Sequence, residues 1–211
     1  VRLSYSAAVG GVVPVLETLR GLRGQVAKVE GVLNGTSNFV LDRLAAGENI
    51  DAAVAEARRL GYAEADPTDD LSGADAARKL ALIAFEGFGT LLDAEAIPIP
   101  GAIAIASWRG GPGQPMGRLI ASVRRSEDGC AARVELGPVA ASHPLASCRG
   151  SSNAVVITLR SGRTIELRGR GAGRWPTAES VVGDLHDLWR DLRQRLDRRG
   201  VVLGEFEAVA S

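Results

Sequence analysis

The sequence predicts an α/β fold, a mixed sheet covered by helices mainly on one face. Three observations carry this. The first half alternates short β-branched runs with segments of helical periodicity. The second half holds four strand-like runs, the last two joined at Ser161-Gly162, which suits a hairpin turn. A long amphipathic segment follows, ending near Leu196. At 211 residues the chain suits one large domain or two small ones, and it can bury a core without disulfides.

The elements read in order as follows. Leu3 to Val9 is apolar and extended, ending at Gly10-Gly11. Pro14 suits the first turn of a helix over Val15 to Leu22. Gln25 to Leu33 reads as a strand around Val26, Val29 and Val32. Asn34-Gly35-Thr36-Ser37 is a turn with capping chemistry before a helix from about Asn38 to Ala46. Asp51 to Leu60 is helical, with Asp51 as its cap, an apolar stripe of Ala53, Val54, Ala57 and Leu60, and Gly61 as its stop. An acidic loop covers Glu64 to Ser72. The next helix runs from Gly73 to about Phe85 on Ala77, Leu80, Ala81 and Ala84, and Gly87 and Gly89 end it. Residues 94–117 are rich in proline and glycine, with a loop at Trp108 to Gly113 and no regular helix across 101–117. Strands follow at Arg118 to Arg124, Ala131 to Leu136, Ala154 to Leu159 and Thr164 to Leu167. Past the glycine-rich Gly169 to Gly173, a last helix spans about Ala178 to Leu196, with Leu185, Leu188, Trp189 and Leu192 as its buried stripe.

Composition narrows the function. Lysine plus arginine equals aspartate plus glutamate at 25 each, and a net charge of zero argues against a general nucleic-acid or acidic-membrane binder. No apolar run approaches the ~18–20 residues that a spanning helix needs. Cys130 and Cys148 are too few for a disulfide framework and read as unpaired thiols of a reducing cytoplasm. His143 and His186 lie far apart, without a partner at zinc-ligand spacing. Only two lysines, Lys28 and Lys79, stand among 25 basic residues.

The most informative stretch runs from Leu60 to Lys79. It sets several acids around the loop between two helices, and Asp75 and Lys79 share a helix face at i,i+4. On spacing alone this is a surface ion pair beside a solvated acidic loop. The functional reading is a lysine that an acid orients toward a cleft, able to give and take back a proton, with carboxylates nearby for a substrate ammonium.

Leu60-Gly61-Tyr62-Ala63-Glu64-Ala65-Asp66-Pro67, followed by Asp70 to Lys79, resembles the signature of the homoserine dehydrogenase family. Other segments resemble that family in the same order. They are Ala7-Ala8-Val9-Gly10-Gly11, Glu30 to Phe39 with its Asn34-Gly35-Thr36, His143-Pro144-Leu145-Ala146, Asn153-Ala154-Val155, and Gly171-Ala172-Gly173 with Pro176-Thr177-Ala178. The resemblance implies NAD- or NADP-dependent interconversion of L-aspartate 4-semialdehyde and L-homoserine, a step of threonine and methionine biosynthesis. By resemblance Lys79 is the catalytic lysine, which protonates the developing alkoxide, and Asp75 shares the substrate hydroxyl with it. Glu64 holds the amino group, Asp70 belongs to the same site, and Asn34, Gly35 and Thr36 line the pocket. Gly61, Ala172, Gly173 and Thr177 fall near the cofactor. Gly169 to Gly173 itself is not the G-x-G-x-x-G of a dinucleotide loop.

The resemblance also frames what differs. The family carries a nucleotide-binding domain ahead of the segment matched here. On this basis residues 1–211 are expected to be one substrate and dimerisation domain, with 170–200 returning to pack on that nucleotide domain. The chain alone is expected to bind cofactor poorly and to be nearly inactive. Backbone carbonyls of Val9, Gly11 and Val13 would hold a monovalent cation, but Ser6 stands where the family has a glutamate and cannot supply its charge. A homodimer paired through the sheet and an amino-acid substrate are the expected partners. A non-catalytic homologue acting as an interaction or regulatory subunit is the alternative.

Overall fold

The structure is a computed structural model that describes residues 3–109, 116–127, 129–170 and 174–198. In chain order, α1 (Val15–Gly21) leads into β1 (Val26–Val32), and four helices follow: α2 (Gly35–Ala45), α3 (Ile50–Arg59), α4 (Thr68–Ser72) and α5 (Ala74–Phe88). After α6 (Ala102–Ala106) come β2 (Met116–Ser126), β3 (Gly129–Val139), β4 (Ser152–Leu159) and β5 (Thr164–Arg170), and then α7 (Arg174–Asp197). The strands form one sheet of order β3-β2-β1-β4-β5.

The α/β architecture is the expected one, but the sheet is antiparallel throughout rather than mixed. The reason lies in the connections. β2–β3 and β4–β5 are hairpins, which can only pair antiparallel, and β1 inserts between them running against both inner strands. Val29 sits opposite Val123 on one side and Ile157 on the other. These residues join Leu119, Ala121, Val134 and Val155 in one core with Val40 and Leu41 of α2 and Leu80 and Ile83 of α5. Lys28, Glu30 and Val32 alternate to the opposite face. That face carries the Lys28–Glu30 and Arg133–Glu135 ion pairs, each at 2.7 Å, and a small cluster of Val32, Leu145, Cys148, Ala154 and Val156. The helices therefore lie mainly on one face, as expected.

Three local expectations change. Leu3 to Val9 forms no strand. Ser6–Ala8 is a 3-10 turn, and Gly10 and Gly11 follow at φ of 84° and 62°, a conformation that breaks an extended run. Asn49 rather than Asp51 caps α3, its side chain accepting from the Ala52 amide at 2.8 Å. α6 places a short helix in the segment expected to lack one, burying Ile105.

The last helix departs furthest. Leu185, Trp189 and Leu192 are about half exposed, and Trp175 is 83% exposed. Three of the four residues of the expected buried stripe therefore face outward, and Leu188 alone is half-buried. α7 is instead held by its polar side: the Asp184 carboxylate accepts from the Ser6 amide at 3.0 Å, and the Ser180 hydroxyl donates to the Gly11 carbonyl at 2.6 Å.

Candidate active site

Two turns build the site. The first is the exit from β1, where Asn34 is extended (φ −129°, ψ 117°) and caps α2 by accepting from the Ser37 amide at 2.8 Å. Gly35 follows against the 147–152 segment, and a β-carbon on it would lie 2.7 Å from the Ser151 carbonyl oxygen, so no larger residue fits without a backbone shift. The second turn is Gly73, at φ 94°, which ends α4 and starts α5. It sets Asp70 on the last turn of one helix beside Asp75 on the first turn of the next. A carboxylate near the N-terminus of α5 is also favoured by the helix dipole.

Lys79 lies one turn beyond Asp75. Its ammonium donates to Asp75 Oδ2 at 2.6 Å and to the Leu33 carbonyl at 3.0 Å. An ammonium has three N–H bonds, so this geometry fixes two and leaves one for a substrate oxygen. The Lys79 and Asp75 side chains are 20% and 29% exposed, drier than a surface pair and still reachable.

Around them is a cleft of about 440 Å³. Its lining includes Asn34, Gly35, Thr36, Glu64, Asp70, Asp75 and Lys79, so every expected catalytic and substrate-binding residue meets in one place. Five carboxylates (Glu64, Asp66, Asp69, Asp70 and Asp75) face two cations, Arg78 and Lys79. That surplus of three negative charges favours a ligand bearing an ammonium group. The loop that carries Glu64 is pinned by Arg58, which donates to the Glu64 and Ala65 carbonyls at 3.4 and 2.7 Å. Arg78 is held by Asp69 at 2.5 Å.

Sequence reasoning missed Tyr62, Asp66, Thr68, Asp69, Arg78 and Ser151 as lining residues. Tyr62 had a usable signal, since it lies in the same motif as Glu64. Thr36 donates to the Tyr62 carbonyl at 2.6 Å, and Phe39 meets the Tyr62 ring edge-on at 5.3 Å, so α2 fixes this turn from behind. Ser151 carried no signal, because its approach to Gly35 exists only in the folded chain.

The homoserine dehydrogenase family profile matches residues 14–186, which takes in the whole cleft. The chain belongs to the homoserine dehydrogenase family. It is 38% identical over 196 residues to the homoserine dehydrogenase of Corynebacterium glutamicum, a match covering 88% of this chain and 44% of that protein. It is 39% identical, with the same coverage, to that of Mycobacterium leprae. Among solved structures, a homoserine dehydrogenase from Thiobacillus denitrificans superposes with a TM-score of 0.76 at 34% identity, over 86% of this chain and 44% of that one. One from Thermoplasma acidophilum gives 0.77 at 26% identity, over 88% and 57%. The chain thus spans about half the length of the curated relatives it matches.

The homoserine dehydrogenase resemblance implies two further sites. In the expected cation set of Val9, Gly11 and Val13, two carbonyls already take part in the fold. The Gly11 carbonyl accepts from Ser180 and the Val13 carbonyl from the Val15 amide at 2.7 Å, which leaves each a second lone pair. The Asp184 carboxylate is engaged by the Ser6 amide, and the buried Ser6 hydroxyl is neutral. Of the expected cofactor set, Gly61 and Thr177 lie among the described residues. Gly61 is exposed at φ 72° with open space where a β-carbon would stand, so its glycine is explained by the turn that ends α3. Thr177 is exposed on the first turn of α7, and Ala172 and Gly173 lie outside the described residues. Cys130 and Cys148 are both free thiols, and burial pushes both above the ordinary thiol value. No described helix is long and apolar enough to cross a membrane.

Proposed function

We propose that this chain is the substrate-binding and catalytic portion of a homoserine dehydrogenase, acting on L-aspartate 4-semialdehyde and L-homoserine in threonine and methionine biosynthesis. The observation that carries this is the Lys79 ammonium, held by Asp75 and the Leu33 carbonyl with one N–H turned to an acidic cleft. In the reductive direction Lys79 gives its proton to the oxygen of the former aldehyde, and in reverse it takes that proton back. A cationic donor fixed in place stabilises the charge that develops on oxygen, while arginine could not surrender the proton. Asp75 orients the ammonium and shares the substrate hydroxyl. Glu64, whose carboxylate makes no hydrogen bond among the described residues, and Asp70 hold the substrate amino group. Gly35 and Thr36 close the floor.

NAD or NADP is the reaction's hydride carrier. By family resemblance a nucleotide domain would hold it, and the outward apolar face of α7 suits packing against that domain. The open face of the sheet, with a groove of about 440 Å³ between Lys28, Glu30, Ser122, Arg124 and Arg133, suits pairing with a second copy across a two-fold axis. A reducing cytoplasm suits the two free thiols.

Isothermal titration with L-homoserine tests the reading. The chain should bind it in the roughly micromolar to millimolar range, with heat lost in Lys79→Met and Glu64→Gln. A folded chain that takes up no homoserine would sink this proposal and favour an interaction or regulatory subunit.

A further inference from the structure

Asn34 is expected to line the substrate pocket, yet its amide has nothing left to offer a substrate. Its Nδ2 donates to Asp70 Oδ1 at 2.6 Å and to Asp75 Oδ2 at 2.7 Å. Its Oδ1 accepts from the Ser37 amide at 2.8 Å and from the Ser37 hydroxyl at 3.0 Å. Both donors and both lone pairs are used, and the residue is 5% exposed. The orientation is fixed by its partners: a reversed amide would point its oxygen at two carboxylates and its N–H groups at a backbone N–H.

We propose that Asn34 is a positioning residue, a clamp that holds Asp70 and Asp75 together and aims the Asp75 carboxylate at Lys79. Without it, two carboxylates from adjacent helices would face each other across the Gly73 turn and repel. The amide sets its two N–H groups between them, so both can stay close to the ligand's ammonium end. It also bonds Asp75 Oδ2, the same oxygen that takes the Lys79 proton donor. Because its oxygen caps α2, the clamp is anchored to the helix that carries Thr36 and Phe39. The role in ligand binding rests on the function proposed above; the clamp itself does not.

The two-lysine composition makes the test clean. A sample labelled with ¹⁵N and ¹³C at lysine gives two side-chain signals, Lys79 and, as an internal control, Lys28, which pairs with Glu30 on the opposite face. Asn34→Ser keeps a capping oxygen and removes both N–H donors. The Lys79 ammonium signal should move while that of Lys28 stays, and homoserine affinity should fall about tenfold, the scale for hydrogen bonds to charged groups. An unmoved Lys79 signal overturns the clamp, as does unchanged affinity in a chain whose parent binds homoserine. Should Asn34→Ser fail to fold, Asn34→Asp takes its place: it keeps shape and cap but sets a third carboxylate beside the two, and should shift Lys79 further and bind more weakly. If both variants unfold, the residue is a folding element and the proposal falls. If the parent binds no homoserine, the functional proposal fails, and the Lys79 signal still decides the clamp.

Discussion

At the scale of single residues, the site depends on side chains that are too small as much as on charged ones. Gly35→Ala would press a methyl group into the Ser151 carbonyl and force the β1–α2 turn away from the 147–152 segment. Overpacking of this kind costs about 1–3 kcal/mol, which urea denaturation should show as a lower midpoint at unchanged slope. The acidic motif with its lysine was legible because the chemistry is local in sequence: Asp75 and Lys79 need only one helix to meet. Glu64 and Asp70 were legible through the motif's resemblance to the family. The function of Asn34 was not, because its two carboxylate partners lie 36 and 41 residues away and only the fold supplies them.

At the scale of elements, the joint between β2 and α2 is the least forgiving. Arg118 on β2 is fully buried and meets Asp42 of α2 at 2.8 Å, while Asp42 also accepts from the Gly150 amide and lies 3.5 Å from Arg149. Burial pushes the Arg118 guanidinium below its ordinary value, against the pull of Asp42. Asp42→Ala would strand that charge in the interior and should cost about 3–5 kcal/mol in chemical denaturation. Arg118→Met should cost less, since Asp42 keeps Arg149 and the Gly150 amide. Most elements were readable because helical and two-residue periodicities survive in isolation. The first segment was not, since two glycines in the left-handed region override an apolar run that would otherwise extend. The stripe of α7 was read correctly as apolar and wrongly as buried: periodicity tells which face seeks cover and not whether cover is present.

At the scale of the whole molecule, the N-terminal turn is tied to the body through Tyr5. Its hydroxyl donates to Glu86 of α5, which Arg20 of α1 also holds at 3.0 Å. Burial, then the Glu86 carboxylate, raises the Tyr5 phenol above its ordinary value of 10.0. A proton held more tightly in the folded than in the unfolded state gives stability that is complete below the unfolded pKa. That stability is lost as pH rises through the folded one. Thermal melts taken from about pH 9 to 12 should therefore fall steeply above about pH 10, and Tyr5→Phe should flatten that fall.

The strand order also governs how the chain reaches this state. β1 is the central strand, yet both of its neighbours come from the second half of the sequence. Until β2 and β4 arrive, its two edges stand open, and an open apolar edge invites pairing with another chain. Folding should thus be slow, in the millisecond-to-second range of chains dominated by distant pairings, and a nascent chain stalled before residue 116 should aggregate.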